Sequence, residues 1–215
     1  QIKAIFRVLV VAATEFEVGE LMSEVRVQNQ DIELLTTGVG MVATAFALGK
    51  HLATMRYDLA INLGIAGSFD RSIALGDVVE VVEDSFSELG AEDNEKFLSI
   101  DKLGFGEADF KPTARLSDFG ITDVRQVSAI TVNTVHGNDF SIKKLINRIQ
   151  PQLESMEGAA FFYACKQAGV PCMQIRTVSN YVEKRNRDAW QIGLAIKNLN
   201  TFAAGLFGRK DSPFK

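Results

Sequence analysis

Two kinds of pattern alternate along the chain. Ile5 to Ala13 (IFRVLVVAA) is a near-continuous apolar run rich in β-branched residues, which predicts a strand covered on both faces. Thr14-Glu15-Phe16-Glu17 follows with capping-box spacing and predicts a helix start. Asp31 to Thr37 predicts a second strand. Gly38-Val39-Gly40 then leads into a helix in which Val42, Ala45, Phe46, Gly49 and Leu52 recur at helical spacing. Leu59 to Leu63 predicts a third strand, ending in Gly64-Ile65-Ala66-Gly67. Further strands are expected over Asp77 to Val82, Val127 to Val135 and Cys172 to Ser179. Helices are expected from Asn138 to Arg148, from Glu157 (after Leu153 to Met156) to Gly169, and from Arg187 to Phe207. Between Ser85 and Thr122 the pattern dissolves into Gly, Asp, Glu and Phe. That stretch reads as an excursion, a lid or an interface built on Phe97, Phe105, Phe110 and Phe119.

Strands alternating with helices predict an α/β protein, a three-layer sandwich with a central mixed, largely parallel sheet flanked by helices. No repeat, low-complexity tract or linker divides the 215 residues, so one domain spanning 1–215 is expected. In open α/β sheets, ligands bind outside the carboxyl ends of the strands. The polar or glycine-rich features at those ends are Glu17, Thr37 to Gly40, Gly64 to Gly67, Ser155-Met156-Glu157, and Arg176 with Ser179-Asn180. Five strand ends are thus expected to converge on one pocket.

Composition narrows the classes without choosing among them. Hydrophobic residues make up 47% and charged residues 23%, as in an ordinary soluble domain. The 23 Lys plus Arg against 27 Asp plus Glu give a net charge of −4, which argues against a nucleic-acid binder. No stretch reaches the roughly 18 uncharged apolar residues of a membrane helix. The N-terminal run is too short for one, carries Lys3 and Arg7, and reads as a strand rather than a signal peptide. Cys165 and Cys172 alone imply no disulfide framework, so a soluble cytoplasmic protein is the default. Gln1 implies that the chain starts after a removed Met or within a longer sequence.

Several residues carry candidate chemistry. Gly38-Val39-Gly40-Met41-Val42-Ala43 matches G-x-G-x-x-G/A, with Asp58 in the place of the dinucleotide-binding acid. Asp58 precedes the next strand instead of ending it, so the match reads as false. What survives is a tight turn whose N–H groups can approach a small ligand. Glu17 has two readings, a cap reaching back to the Thr14 N–H or a catalytic carboxylate. Glu157 opens a helix that must pack tightly through Gly158-Ala159-Ala160, where a carboxylate gains from the helix dipole and also suits two ligand hydroxyls. Arg176 interrupts an apolar strand and needs an anionic or hydrogen-bonding partner; its structural reading is an ion pair with one of those glutamates. His51 and His136 have no second ligand at metal spacing and read as surface or structural, so no metal and no cofactor is expected. Glu183-Lys184-Arg185-Asn186-Arg187 reads as a solvated helix start whose basic residues are able to face an acidic substrate.

The ordered set ATEFEV, TTGVG, NLGIAGS, LGDVV, ESMEGAA and IRTVSN resembles the nucleoside phosphorylase and nucleosidase superfamily over about residues 5 to 207. Within it the likeness is greatest to methylthioadenosine/adenosylhomocysteine nucleosidases and futalosine hydrolases. The resemblance implies metal-free hydrolysis of a purine nucleoside at its N-glycosidic bond by a homodimer. It places the water-activating glutamate on Glu17 and the ribose-binding pair on Met156 and Glu157. Thr37, beside Gly38, stands where the nucleosidases have a serine near the attacking water. The strand-end Arg-x-x-Ser-Asp of the family becomes Arg176-Thr177-Val178-Ser179-Asn180. Arg176 is expected to orient the water and Glu17.

Asn180 is the informative departure, because adenine-specific nucleosidases have an aspartate there. An amide offers a donor and an acceptor on one plane and matches a 6-oxopurine, which implies hypoxanthine as leaving base and futalosine as substrate. Arg185 or Arg187 would then meet the carboxylate at the 5′ end. Three alternatives remain at this point: an adenine-releasing nucleosidase, a phosphorolytic enzyme, and a nucleoside-binding protein without catalysis. Against phosphorolysis, the glycine-rich turns have only Lys50, Arg56 and Arg71 near them in sequence, and Glu17 would repel phosphate.

Overall fold

Ten strands and five helices follow one another as β1 (Val8–Ala12), α1 (Glu15–Gln28), β2 (Ile32–Thr36), α2 (Met41–Leu52), β3 (Leu59–Ser68), β4 (Val78–Phe86), β5 (Gly90–Asp93), β6 (Lys96–Ser99), β7 (Asp109–Phe110), β8 (Arg125–Thr131), α3 (Asp139–Arg148), β9 (Leu153–Ser155), α4 (Gly158–Ala168), β10 (Cys172–Tyr181) and α5 (Ile192–Gly208) in the described residues. The structure is a computed structural model and describes residues 6–28, 31–208 and 214; Gln1, Lys3 and Ile5 lie outside them. The expected strands and helices are present with shifted ends. Asn138 caps α3 by accepting the Phe140 and Ser141 N–H groups, and Gly169 ends α4 in the left-handed conformation.

The sheet is mixed and largely parallel. Strand β1 lies between β2 and β3, parallel to both, and β3 pairs in parallel with β10. The simple sandwich is corrected. Strands β3, β10, β4, β8 and β9 pair successively, and β9 returns to β3, so the sheet closes into a five-stranded barrel with β1 and β2 as a wing. The cause is strand length. One edge of β3 holds β1 at Leu59–Asn62 and is still free at Gly67–Ser68 to take β9. A twisted sheet with such long central strands can close on itself.

Gly64-Ile65-Ala66-Gly67, expected as a turn, instead continues β3. Gly64 is needed for close approach. A Cβ there would collide with the Arg176 guanidinium and lie 3.2 Å from Glu17 Oε1. Helices flank both faces of the sheet. Leu48, Leu52, Phe161 and Phe162 of α2 and α4 join one core cluster, whereas Val18 of α1 and Leu199, Ala203 and Leu206 of α5 join the other.

The expected apolar stripe of α2 needs a second correction. Its inward side is Thr44, Leu48 and Leu52, while Val42 and Phe46 are 77% and 72% exposed. Residues 85–122 form the β5–β6 hairpin and a 3-10 turn at Leu116–Phe119. Phe110 is buried there between Phe86 and Tyr163, Phe119 packs on Phe214, and Phe105 is exposed.

Candidate active site

Segments at the ends of five strands meet around a cavity of about 450 Å³. Glu17 and Phe16 come from the first turn of α1, Ile65 to Gly67 from β3, Ser155 to Glu157 from the β9–α4 junction, and Ser179 with Asn180 from β10. Val39 comes from the glycine turn, and Trp190, Ile192 and Ile196 close another side. No residue of 85–122 lines this cavity.

Glu17 is buried and fulfils its capping role. Its Oε2 accepts from the Thr14 N–H and hydroxyl, both at 3.1 Å, and its Oε1 accepts from the Ile65 N–H at 3.2 Å. A carboxylate has about four acceptor sites, so one remains. Capping and chemistry therefore need not compete. Glu157 is the N-cap of α4, yet its side chain makes no cap bond. Oε1 accepts from Gly40 N–H at 3.1 Å, and Oε2 accepts from Arg176 Nη1 at 3.5 Å. Gly40 has φ +99°, a conformation that favours glycine, and the turn points its N–H at Glu157.

Arg176 is 1% exposed and its guanidinium is held on several sides. Nε donates to Gln174 Oε1 at 2.9 Å, Nη2 to Asn62 Oδ1 at 2.6 Å, and Nη1 to the Ile65 carbonyl at 3.2 Å. Gln174 donates in turn to Asp84, which also accepts from Thr131 at 2.8 Å. Burial pushes the Asp84 carboxyl up to about 6, against the opposing hydrogen bonds from Gln174 and Thr131 and the Arg176 charge. The Arg176 ion pair thus goes to Glu157 and not to Glu17; Arg176 and Glu17 share the Ile65 backbone, Arg176 donating to its carbonyl and Glu17 accepting from its N–H.

Ser179 and Asn180 both line the cavity, although successive strand residues normally face opposite ways. The register explains this. Val178 pairs with Ala66 and Asn180 with Gly67, so Ser179 is an extra, bulged residue. The Ser179 hydroxyl donates to Asn180 Oδ1 at 2.9 Å or to the Ala66 carbonyl at 3.2 Å. Asn180 Nδ2 donates to the Tyr181 carbonyl at 3.2 Å. One amide hydrogen and one oxygen lone pair are left over.

Thr37 and Gly38 lie one step behind the wall. The Thr37 hydroxyl donates to the Gly38 carbonyl at 2.8 Å, and the Gly38 N–H to the Ala13 carbonyl. Arg185 lines the mouth with its guanidinium over the Trp190 ring, whereas Arg187 is exposed and lines no part of the cavity. Asp58 caps the opposite end of the sheet, accepting from Arg7 N–H at 2.8 Å.

Sequence reasoning missed Asn62, Asp84, Gln174, Glu154 and the place of His136 on the cavity wall. Glu154 is buried, and its two oxygens accept from the backbone N–H of His136 at 2.8 Å and face its Nδ1 at 2.7 Å. Burial raises the Glu154 carboxyl, and the His136 bonds oppose that rise. A signal existed for two of them. Asn62 and Gln174 interrupt apolar strands as Arg176 does, and Gln174 lies two residues from Arg176, on the same strand face.

A buried carboxylate with one free acceptor site, a second carboxylate beside a glycine turn and an amide at a bulged strand end thus line one cavity. Residues 6–207 match the family model described as the phosphorylase superfamily, and the chain belongs to it. Its place there is among the futalosine hydrolases. It is 35% identical over 175 residues to a futalosine hydrolase of Streptomyces coelicolor, covering 78% of this chain and 74% of that one. It is also 35% identical over 182 residues to one from Acidothermus cellulolyticus, covering 80% and 74%. The fold matches that of a 5′-methylthioadenosine/S-adenosylhomocysteine nucleosidase from Colwellia psychrerythraea, solved with adenine, at a TM-score of 0.81 and 21% identity over 98% of this chain and 97% of that one.

Proposed function

We propose that this cavity binds futalosine and hydrolyses its N-glycosidic bond, releasing hypoxanthine in the futalosine route to menaquinone. One observation carries the reading: Glu17, Met156 with Glu157, and Asn180 surround one cavity, and the three polar groups keep unused hydrogen-bonding capacity that matches such a nucleoside. The remaining acceptor site of Glu17 holds a water. As its oxygen bonds to C1′, the C1′–N9 bond breaks, Glu17 takes a water proton, and the electron pair leaves with the base. The base takes a proton from solvent at N7. General-base assistance of this kind contributes about 10²–10⁴-fold. Glu157 has two acceptor sites left after Gly40 and Arg176, one for each of the 2′- and 3′-hydroxyls. Met156 supplies an adaptable apolar surface under the ribose. Arg176 is a positioning residue: it holds Glu157 and the Ile65 peptide.

The free Asn180 hydrogen donates to O6 and its free lone pair accepts from N7–H. A 6-aminopurine would set donor against donor, at a cost of about 1–3 kcal/mol, which disfavours adenine. Arg185 is the sole Lys or Arg lining the cavity among the described residues, and it sits at the mouth over Trp190. That supports hydrolysis over phosphorolysis and a contact between Arg185 and the anionic 5′ end. Val42 and Phe46 of α2, with Phe16 at the cavity mouth, are exposed large apolar residues, as expected of a surface covered by a second copy in a homodimer. Both cysteines are free and buried, in keeping with a cytoplasmic protein.

The test is base release, followed by chromatography, from futalosine, inosine and methylthioadenosine with and without phosphate. Phosphate-independent hypoxanthine release from futalosine, lost in Glu17→Gln while nucleoside binding persists, is the expected result. Adenine release from methylthioadenosine overturns the base assignment, and phosphate dependence overturns hydrolysis.

A further inference from the structure

Asn180 can read only one edge of a base. Its strand position shows what faces the other. Asn180 of β10 and Glu154 of β9 both pair with Gly67 of β3, from opposite sides. With strands about 4.8 Å apart, their backbones stand roughly 10 Å apart, with a side-chain-free residue between them. A bicyclic base with a hydrogen bond at each edge fits such a gap.

Glu154 does not meet the cavity alone. It holds His136, which also lines it. One Glu154 oxygen is fixed by a backbone N–H, which can only donate, and the other faces Nδ1 at 2.7 Å. An ionised carboxylate only accepts, so Nδ1 must carry the hydrogen. The ring nitrogen left for a ligand is Nε2, and in the neutral imidazole it is an acceptor. The Phe69 edge packs against the ring and helps fix its plane.

We propose that His136, with its tautomer set by Glu154, is a second specificity-determining residue that accepts the N1–H of a 6-oxopurine through Nε2. The inference rests on the reading of the cavity as a purine nucleoside site with the base at Asn180. The two residues then present a donor to O6 and acceptors to N1–H and N7–H. A 6-aminopurine, whose N1 is an acceptor, meets a lone pair at Nε2.

Glu154→Gln gives a test of unusual sign. The backbone N–H of His136 still demands an oxygen, so the glutamine amino group turns to Nδ1 and donates. The hydrogen then moves to Nε2, and His136 changes from acceptor to donor. The expected result is a fall of about tenfold to a hundredfold in the ratio of kcat/KM for inosine to that for adenosine, relative to the unmodified protein. His136→Phe keeps an aromatic plate, removes the acceptor and lowers the same ratio. A substrate-side measurement needs no variant: 1-deazainosine, with C–H in place of N1–H, should lose about tenfold or more in kcat/KM against inosine. A structural role for the pair predicts equal losses on both nucleosides and an unchanged ratio. That outcome, or 1-deazainosine turned over as well as inosine, overturns the inference while the hydrolase reading stands. Failure of the unmodified protein to release base from any purine nucleoside removes both.

Discussion

The floor and the rim of the cavity are built on opposite principles. Beneath the site lies a buried network: Asp84 meets Gln174, Gln174 meets Arg176, and Arg176 meets both Asn62 and Glu157. At the mouth, Phe16, Val39 and Val135 are exposed apolar side chains, and Arg185 rests on Trp190 in solvent. The floor is satisfied by side chains of this chain, whereas the rim leaves large apolar side chains exposed. A buried polar chain is stable only when every member is satisfied, so it holds the reacting groups in one geometry. An apolar rim is stabilised by whatever covers it, substrate or a second subunit.

The contrast can be broken at the floor first. Arg176→Met leaves Glu157 buried without its cation and should cost about 3–5 kcal/mol of stability, read from denaturant unfolding. A loss below 1 kcal/mol would mean that the floor is not a cooperative unit.

Asp84 gives the next largest effect. Its carboxyl titrates near 6 in the folded protein against an ordinary 3.8, so between these values the folded state binds the extra proton. Stability should therefore fall as pH rises from about 4 to about 6, by on the order of 2–3 kcal/mol, and level off above. Thermal midpoints for the native chain and Asp84→Asn across that range isolate the effect, because the variant should lack this fall.

Changes at the rim should act on assembly and binding instead. Phe46→Glu should convert dimer to monomer by light scattering, with a change in subunit stability of about 0.5 kcal/mol or less. Monomers in the native chain would refute the assignment of that face. Smallest of all, Arg185→Ala should raise the KM for futalosine about two- to fivefold with kcat unchanged, the scale of an exposed ion pair. An unchanged KM removes Arg185 from the 5′ end.

The sequence was legible where local chemistry decides structure. Thr14 and Glu17 carry their cap at the expected spacing, and Glu157 opens α4 at the end of β9 as the small residues after it require. It was illegible where partners distant in sequence decide. Gly64 and Gly67 looked like turn residues because glycine frees the backbone, yet here glycine makes room for Arg176 and for Asn180. On α2, two apolar stripes compete, and only the packing of α4 shows that Leu48 faces in and Phe46 out. Barrel closure followed from β3 outlasting β1, a length the glycines disguised.

The bulge at Ser179 makes the site depend on parity as well as on identity. In an unbroken strand, Arg176, Val178 and Asn180 would share a face, and the amide would follow the guanidinium into the floor. One unpaired residue resets the count, so that the floor and the Asn180 wall of the cavity are drawn from a single strand. A chain with the same residues but one fewer between Arg176 and Asn180 would preserve the letters of the motif and lose its meaning.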